Sequence, residues 1–196
     1  MEDINFFKTK NSLYFKKISK KTDLSSNDNC DGYLIGEKAT ESEARKIIAS
    51  LESLQKNNPS KNKKLIAVEG NGDAFNRRAI ETLKINYLVS PENNTLRDTL
   101  KQRDSGLNHV VAKIAKQKNI QIVIDTSKIS TFSPKEKANT LAKIMQNIKI
   151  CKKTNTQIKI ASFAEDKKEK ADEKSRKSFL SSLGMHTSDI VSSTKF

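Results

Sequence analysis

Apolar residues in this chain fall into two kinds of pattern. Four short, nearly continuous runs stand out: KLIAVE (64–69), INYLVS (85–90), IQIVID (120–125) and QIKIAS (157–162). Runs of this length rich in Val and Ile predict strands. SLYFKKI (12–18) and GYLIG (32–36) are weaker versions nearer the start. Between the runs, apolar residues recur every three or four positions, which predicts amphipathic helices. One such stripe is Ala44, Ile47, Ile48, Leu51 and Leu54, preceded by the capping box Thr40-Glu41-Ser42-Glu43. Another is Phe75, Ala79, Ile80 and Leu83. A third, Ala138, Leu141, Ala142, Met145 and Ile148, follows the capping box Ser133-Pro134-Lys135-Glu136, with proline at the first helical position. A last helix ends at FLSSLG, where Gly184 suits the residue just past a helix C-terminus.

Strand and helix therefore alternate, which predicts an α/β fold with parallel strands and right-handed crossovers. Six or seven such units fit, whereas a full eight-unit barrel takes about 250 residues. The expected architecture is a shortened or incomplete TIM-like (β/α) barrel forming a single domain over residues 1–196, with a doubly wound open sheet as the competitor. Two polar stretches, 54–64 around Pro59 and 164–177, read as exposed loop or solvated helix face.

The stretch QRDSGLNHVVAKIAK (102–116) carries one of the two histidines. Asp104 or Ser105 can cap the helix that follows, with Leu107, Val110, Val111, Ile114 and Ala115 as its buried stripe. His109 then falls on the opposite side, in an exposed row with Lys113 and Lys116. The preceding loop, PENNTLRDTLKQRDS, adds Arg97, Lys101 and Arg103 and is long for a strand-to-helix connection. In a (β/α) barrel such loops build the functional face, and a helix N-terminus favours an anion. Arg77 and Arg78 lie on the side of their helix away from Phe75 and Ala79, so they extend the basic surface.

Charge sharpens that reading. Lys and Arg number 37 against 23 Asp and Glu, a formal net charge of +14, which makes a polyanion the first partner to consider. Aromatics are only 6% with no Trp, which argues against base stacking and for shape and phosphate contacts. Cys30 and Cys151 suggest neither a disulfide framework nor a zinc site. No apolar run approaches membrane-spanning length and no signal pattern opens the chain, so a soluble, cytoplasmic protein is expected. For catalysis the sequence offers His109 with Asp104 nearby, and Glu69 and Asp125 at strand ends, where barrel enzymes keep carboxylates. GNG at 70–72 is not a dinucleotide fingerprint, since Phe75 takes the third glycine's place.

At IAVEGNGDAFNRRAIETLKINYLVSPEN (66–93) followed by RDSGLNHVVAKIAKQKNIQIVID (103–125), the chain resembles the ribonuclease P protein component 3 family. The likeness continues through IKIASFAED and FLSSLGM and is clearest over residues 64–185. Its most specific part is DSGLNH (104–109). The resemblance implies an incomplete TIM-like barrel, akin to phosphoesterases of the polymerase and histidinol phosphatase (PHP) type. It also implies a noncatalytic subunit of the ribonucleoprotein that removes 5′ leaders from precursor tRNA. There the RNA and its magnesium ions cleave, no cofactor is held by the protein, and the chain pairs with protein component 2 in a heterotetramer. Metal-dependent relatives of that barrel use several histidines; this chain has two, neither in an H-x-H pair. A metal-dependent barrel hydrolase using Glu69 and Asp125 is the alternative.

Overall fold

A computed structural model describes residues 3–25, 28–36, 38–56, 63–94 and 103–196. Seven strands run in chain order in one all-parallel sheet: β1 (Asp3–Asn5), β2 (Ser12–Ile18), β3 (Gly32–Ile35), β4 (Leu65–Glu69), β5 (Tyr87–Val89), β6 (Gln121–Asp125) and β7 (Ile158–Ala161). The sheet curls into a nearly closed barrel. Phe163 N–H donates to Ile4 O at 2.8 Å and Phe6 N–H to Ala164 O at 2.9 Å, so the chain just past β7 meets β1. The helices are α1 (Glu41–Lys56), α2 (Gly72–Thr82), α3 (His109–Gln117), α4 (Ser127–Thr131), α5 (Pro134–Thr154), α6 (Glu173–Ser182) and α7 (Thr187–Ser193).

The period of two along each strand divides the core. Ile4, Leu13, Phe15, Leu34, Ala67, Tyr87, Val89, Val123 and Ala161 fill the barrel. Their alternates Ile35, Ile66, Val68, Leu88, Ile122, Ile124 and Ile160 pack with the helices. Gly32 is needed inside: a Cβ there would stand 2.6 Å from both the Phe15 ring and Leu65 O. At the N-terminal mouth the inward Lys159 donates to Ser192 O and Lys195 O, with the Phe196 ring lying edge-on to Tyr87. At the opposite mouth the inward residues are Lys17, Glu69 and Asp125.

The front of the barrel is reduced. β1 and β2 are joined by residues 6–11 alone, and the described part of 19–31 holds only a 3-10 turn at Lys21–Asp23. Parallel neighbours usually need a crossover of a dozen residues or more, so the alternation of strand and helix begins only at β3.

Both capping boxes form. Thr40 N–H donates to Glu43 at 2.8 Å and Ser133 N–H to Glu136 at 3.0 Å, and each hydroxyl receives the backbone N–H of its glutamate. The α5 stripe is rotated from the expected one. Its buried residues are Ile144, Asn147, Ile148, Ile150, Cys151 and Thr154, while Ala138 is exposed and Met145 is 37% exposed. Asn147 and Thr154 lie on the buried face, where a reading of hydrophobicity alone passes over them. The 164–177 stretch is not wholly solvated either. Arg176 is buried and its Nη1 meets Asp3 Oδ2 at 2.5 Å.

Candidate nucleic-acid interface

The turn before α3 differs locally from the expected cap. Asn108 is the N-cap: its Oδ1 accepts from Val110 N and Val111 N, each at 3.0 Å. Asp104 instead accepts from Gly106 N at 3.2 Å, and the buried Ser105 hydroxyl donates to Leu107 O at 3.3 Å. The cause is Gly106, whose φ of +71° turns the chain after Ser105 and delays the helix. A Cβ on Gly106 would come within 1.8 Å of Pro91 O, so no other residue permits this approach. Asn108→Ala is expected to cost about 1 kcal/mol. Paired thermal melts check this: a larger loss for Ser105→Ala would return the cap to Ser105.

Helical phase decides which side chains of α3 face outward. Val111, Ala112 and Ala115 are buried and Ile114 partly so, whereas Val110, placed in the stripe by the sequence, is 61% exposed. His109, Lys113 and Lys116 are exposed as expected. Arg103 is exposed and docks on α5: its Nη1 donates to Ala142 O at 3.2 Å, and its carbonyl accepts from Gln146 Nε2 at 3.1 Å. Arg97 and Lys101 lie outside the described residues.

Arg77 and Arg78 are exposed on α2, but both meet carboxylates. Arg77 Nε donates to Glu81 at 2.9 Å, and Arg78 lies 3.6 Å from Glu41. Helix α3 packs between α2 and α5. Asn147 reaches Ser105 and Thr156 reaches Ala112 O, so α5 runs beside α3 in the same direction. That places Lys149, Lys152 and Lys153, all exposed, on the neighbouring helix. These lysines extend the basic surface beyond the residues that spacing picks out, because which helices neighbour one another is not written in their own periodicity.

Two buried asparagines hold this region together. Asn76 Nδ2 donates to Pro91 O at 2.7 Å and to Gly106 O at 2.9 Å, while its Oδ1 accepts from Asn71 N at 3.0 Å. Asn147 Nδ2 donates to Ser105 O at 3.0 Å and to Glu92 Oε2 at 3.4 Å. Burial pushes the Glu92 carboxyl up to about 7, against bonds from its own backbone, Asn147 and Ser90, and the nearby Asp125 charge adds to the rise.

At the mouth formed by the strand C-termini lies a cleft of about 580 Å³ lined by Lys17, Glu69, Asp125, Ser127 and Lys128 among others. Glu69 is engaged by Lys17 at 3.7 Å and Lys128 at 3.2 Å. Burial raises Asp125 to about 6, although Ser127 bonds it through both N and Oγ. Among the described residues no three His, Cys, Asp or Glu side chains converge as metal ligands. His109 sits on the outer face of α3, and His186 accepts from Ser188 N at the start of α7. The donor set does not fit the metal-dependent hydrolase alternative. No described helix is long and apolar enough to cross a membrane.

No family model matches the chain. Ribonuclease P protein component 3 of Methanocaldococcus jannaschii is 29% identical over 119 residues, covering 61% of this chain and 48% of that protein. The Methanococcus vannielii protein of the same name is 28% identical over 102 residues, 52% and 41% of the two chains. The matched stretch thus spans about half the length of these curated relatives or somewhat less. Among solved structures, a chain in a cryo-EM structure of archaeal Ribonuclease P with mature tRNA aligns over 97% of this chain and 87% of its own, with a TM-score of 0.57 and 22% identity. An amidohydrolase crystal structure gives a TM-score of 0.57 at 10% identity over 85% of this chain and 41% of its own, a likeness of fold alone. The resemblance in the 64–185 stretch therefore holds in comparison with known proteins: over half or more of its length the chain is similar to curated ribonuclease P protein component 3 sequences.

Proposed function

We propose that this chain is a noncatalytic protein subunit of ribonuclease P, supporting a catalytic RNA in removing 5′ leaders from precursor tRNA in the cytoplasm. The observation that carries the reading is the sequence relation to component 3 proteins. The fold is shared with a chain of an archaeal ribonuclease P particle. The physical chemistry agrees: a net charge of +14, few aromatics and an exposed cationic edge on α3 suit the phosphates of folded RNA. On this reading the partners are ribonuclease P RNA, precursor tRNA and protein component 2 in a heterotetramer. Magnesium is held by the RNA and no cofactor by the protein.

Reconstitution tests it. Precursor tRNA should be cleaved by particles containing the RNA and not by this chain alone; cleavage by the protein alone would overturn the reading. RNA affinity should fall log-linearly with salt, and Arg103→Ala or Lys113→Ala should each reduce the slope by roughly 0.7–0.9. Binding titrations across a salt series check this, and a flat response would remove the electrostatic account.

A further inference from the structure

Two segments flanking the loop after β5 meet on one amide. Asn147 is buried on α5 among Ile144, Ile148 and Cys151. Its Nδ2 serves Ser105 O at 3.0 Å, in the turn that carries Arg103, and Glu92 Oε2 at 3.4 Å, on the segment leaving β5. One position earlier, Gln146 Nε2 holds Arg103 O, and the Arg103 guanidinium reaches back to Ala142 O. The 103–108 turn therefore rests on α5 at positions 142, 146 and 147, and Asn76 grips it from α2 through Gly106 O. An amide among aliphatic side chains is costly to bury, and the Asn147 Oδ1 has no hydrogen-bond partner among the described residues. An apolar side chain would suit packing better at this position. What the amide supplies is geometry.

We infer that Asn147 is a positioning residue of the RNA-binding edge, fixing the Arg103 turn against α5 so that the Arg103 guanidinium is held in place at the start of α3. The inference rests on the RNA-binding reading above. A cation held in place before binding loses less freedom when a phosphate arrives. Asn147 touches no phosphate itself, so its effect on affinity must pass through the turn it holds.

The test is a double-mutant cycle read in affinity for a labelled short RNA duplex, using the full chain, Asn147→Ala, Arg103→Ala and the two combined. Asn147→Ala should weaken binding roughly fivefold, the scale of one lost hydrogen bond. In the Arg103→Ala background most of that loss should vanish, because the residue being positioned is gone. A role confined to stability would give the same loss in both backgrounds. Full additivity, or wild-type affinity in a folded Asn147→Ala chain, would overturn the inference. Should Asn147→Ala fail to fold, Gln146→Ala goes through the same cycle under the same criteria. A wild-type chain that binds no duplex at any salt would defeat the RNA reading and this inference with it. A chain that binds but shows an additive cycle would remove only the role of Asn147.

Discussion

Glu92→Gln should make the protein more stable at pH 8 and leave it nearly unchanged at pH 4. The carboxyl is buried at the end of β5 and raised to about 7, first by burial and further by the Asp125 charge. An unfolded chain releases this proton near the ordinary glutamate value of about 4.3. Between the two values the folded state holds a proton that the unfolded state has given up, so stability falls as pH rises through that window. The loss is complete once pH passes the folded value, and for Glu92 it amounts to roughly 3–4 kcal/mol. Asp125, raised to about 6 first by its burial and further by the Glu69 charge, pushes in the same direction. Glutamine keeps an oxygen to accept from Asn147 and carries no charge to desolvate. Urea melts of wild type and variant at pH 4 and pH 8 read the difference, with a gain of about 1–3 kcal/mol expected at pH 8 only. A variant less stable than wild type at pH 8 would mean that the ionised carboxylate anchors the Asn147 bridge strongly enough to outweigh its burial.

The carboxyl's position was partly legible and its environment was not. SPEN at 90–93 reads as the end of a strand, and the strand is there. What surrounds Glu92 comes from α5 and β6, more than thirty residues away in sequence, and no local pattern announces that contact. The same division runs through the molecule. Strands β2 to β7 follow from apolar runs because a strand covered on both faces must be apolar along its length. β1 escapes notice because Asp3–Asn5 has one aliphatic side chain, and α7 because seven residues hold too few turns to show a period. Exposure of His109, Lys113 and Lys116 follows from helical spacing alone. The cap did not, since Asp104, Ser105 and Asn108 are all competent caps by type and only the φ of Gly106 selects among them. Asn76, Asn147 and Arg176 defeat a hydrophobicity reading for one reason: each is a polar side chain whose burial depends on a partner distant in the chain.

Arg176 carries the largest expected loss. Its guanidinium and the Asp3 carboxylate are both almost fully buried, with Nη1 at 2.5 Å from Oδ2. The other carboxylate oxygen accepts from Ile4 N at 2.9 Å and Ser162 N at 2.8 Å. Asp3 thus ties β1 to the residue following β7 and, through Arg176, to α6. Backbone bonds from Phe163 N to Ile4 O and from Phe6 N to Ala164 O join the same ends of the sheet, so this pair reinforces the seam. Arg176→Met leaves the carboxylate in the interior without its countercharge and should cost about 3–5 kcal/mol. Asp3→Asn strands the guanidinium instead and should cost a comparable amount. The double variant Asp3→Asn/Arg176→Met removes both charges, keeps an oxygen for the two backbone N–H groups, and should recover much of the loss. Urea denaturation of the four proteins reads the coupling directly. Strictly additive losses would show that the two charges are held independently, and the seam would then depend on backbone pairing alone. Strong coupling is expected, because each charge is tolerable in the interior only while the other stands beside it.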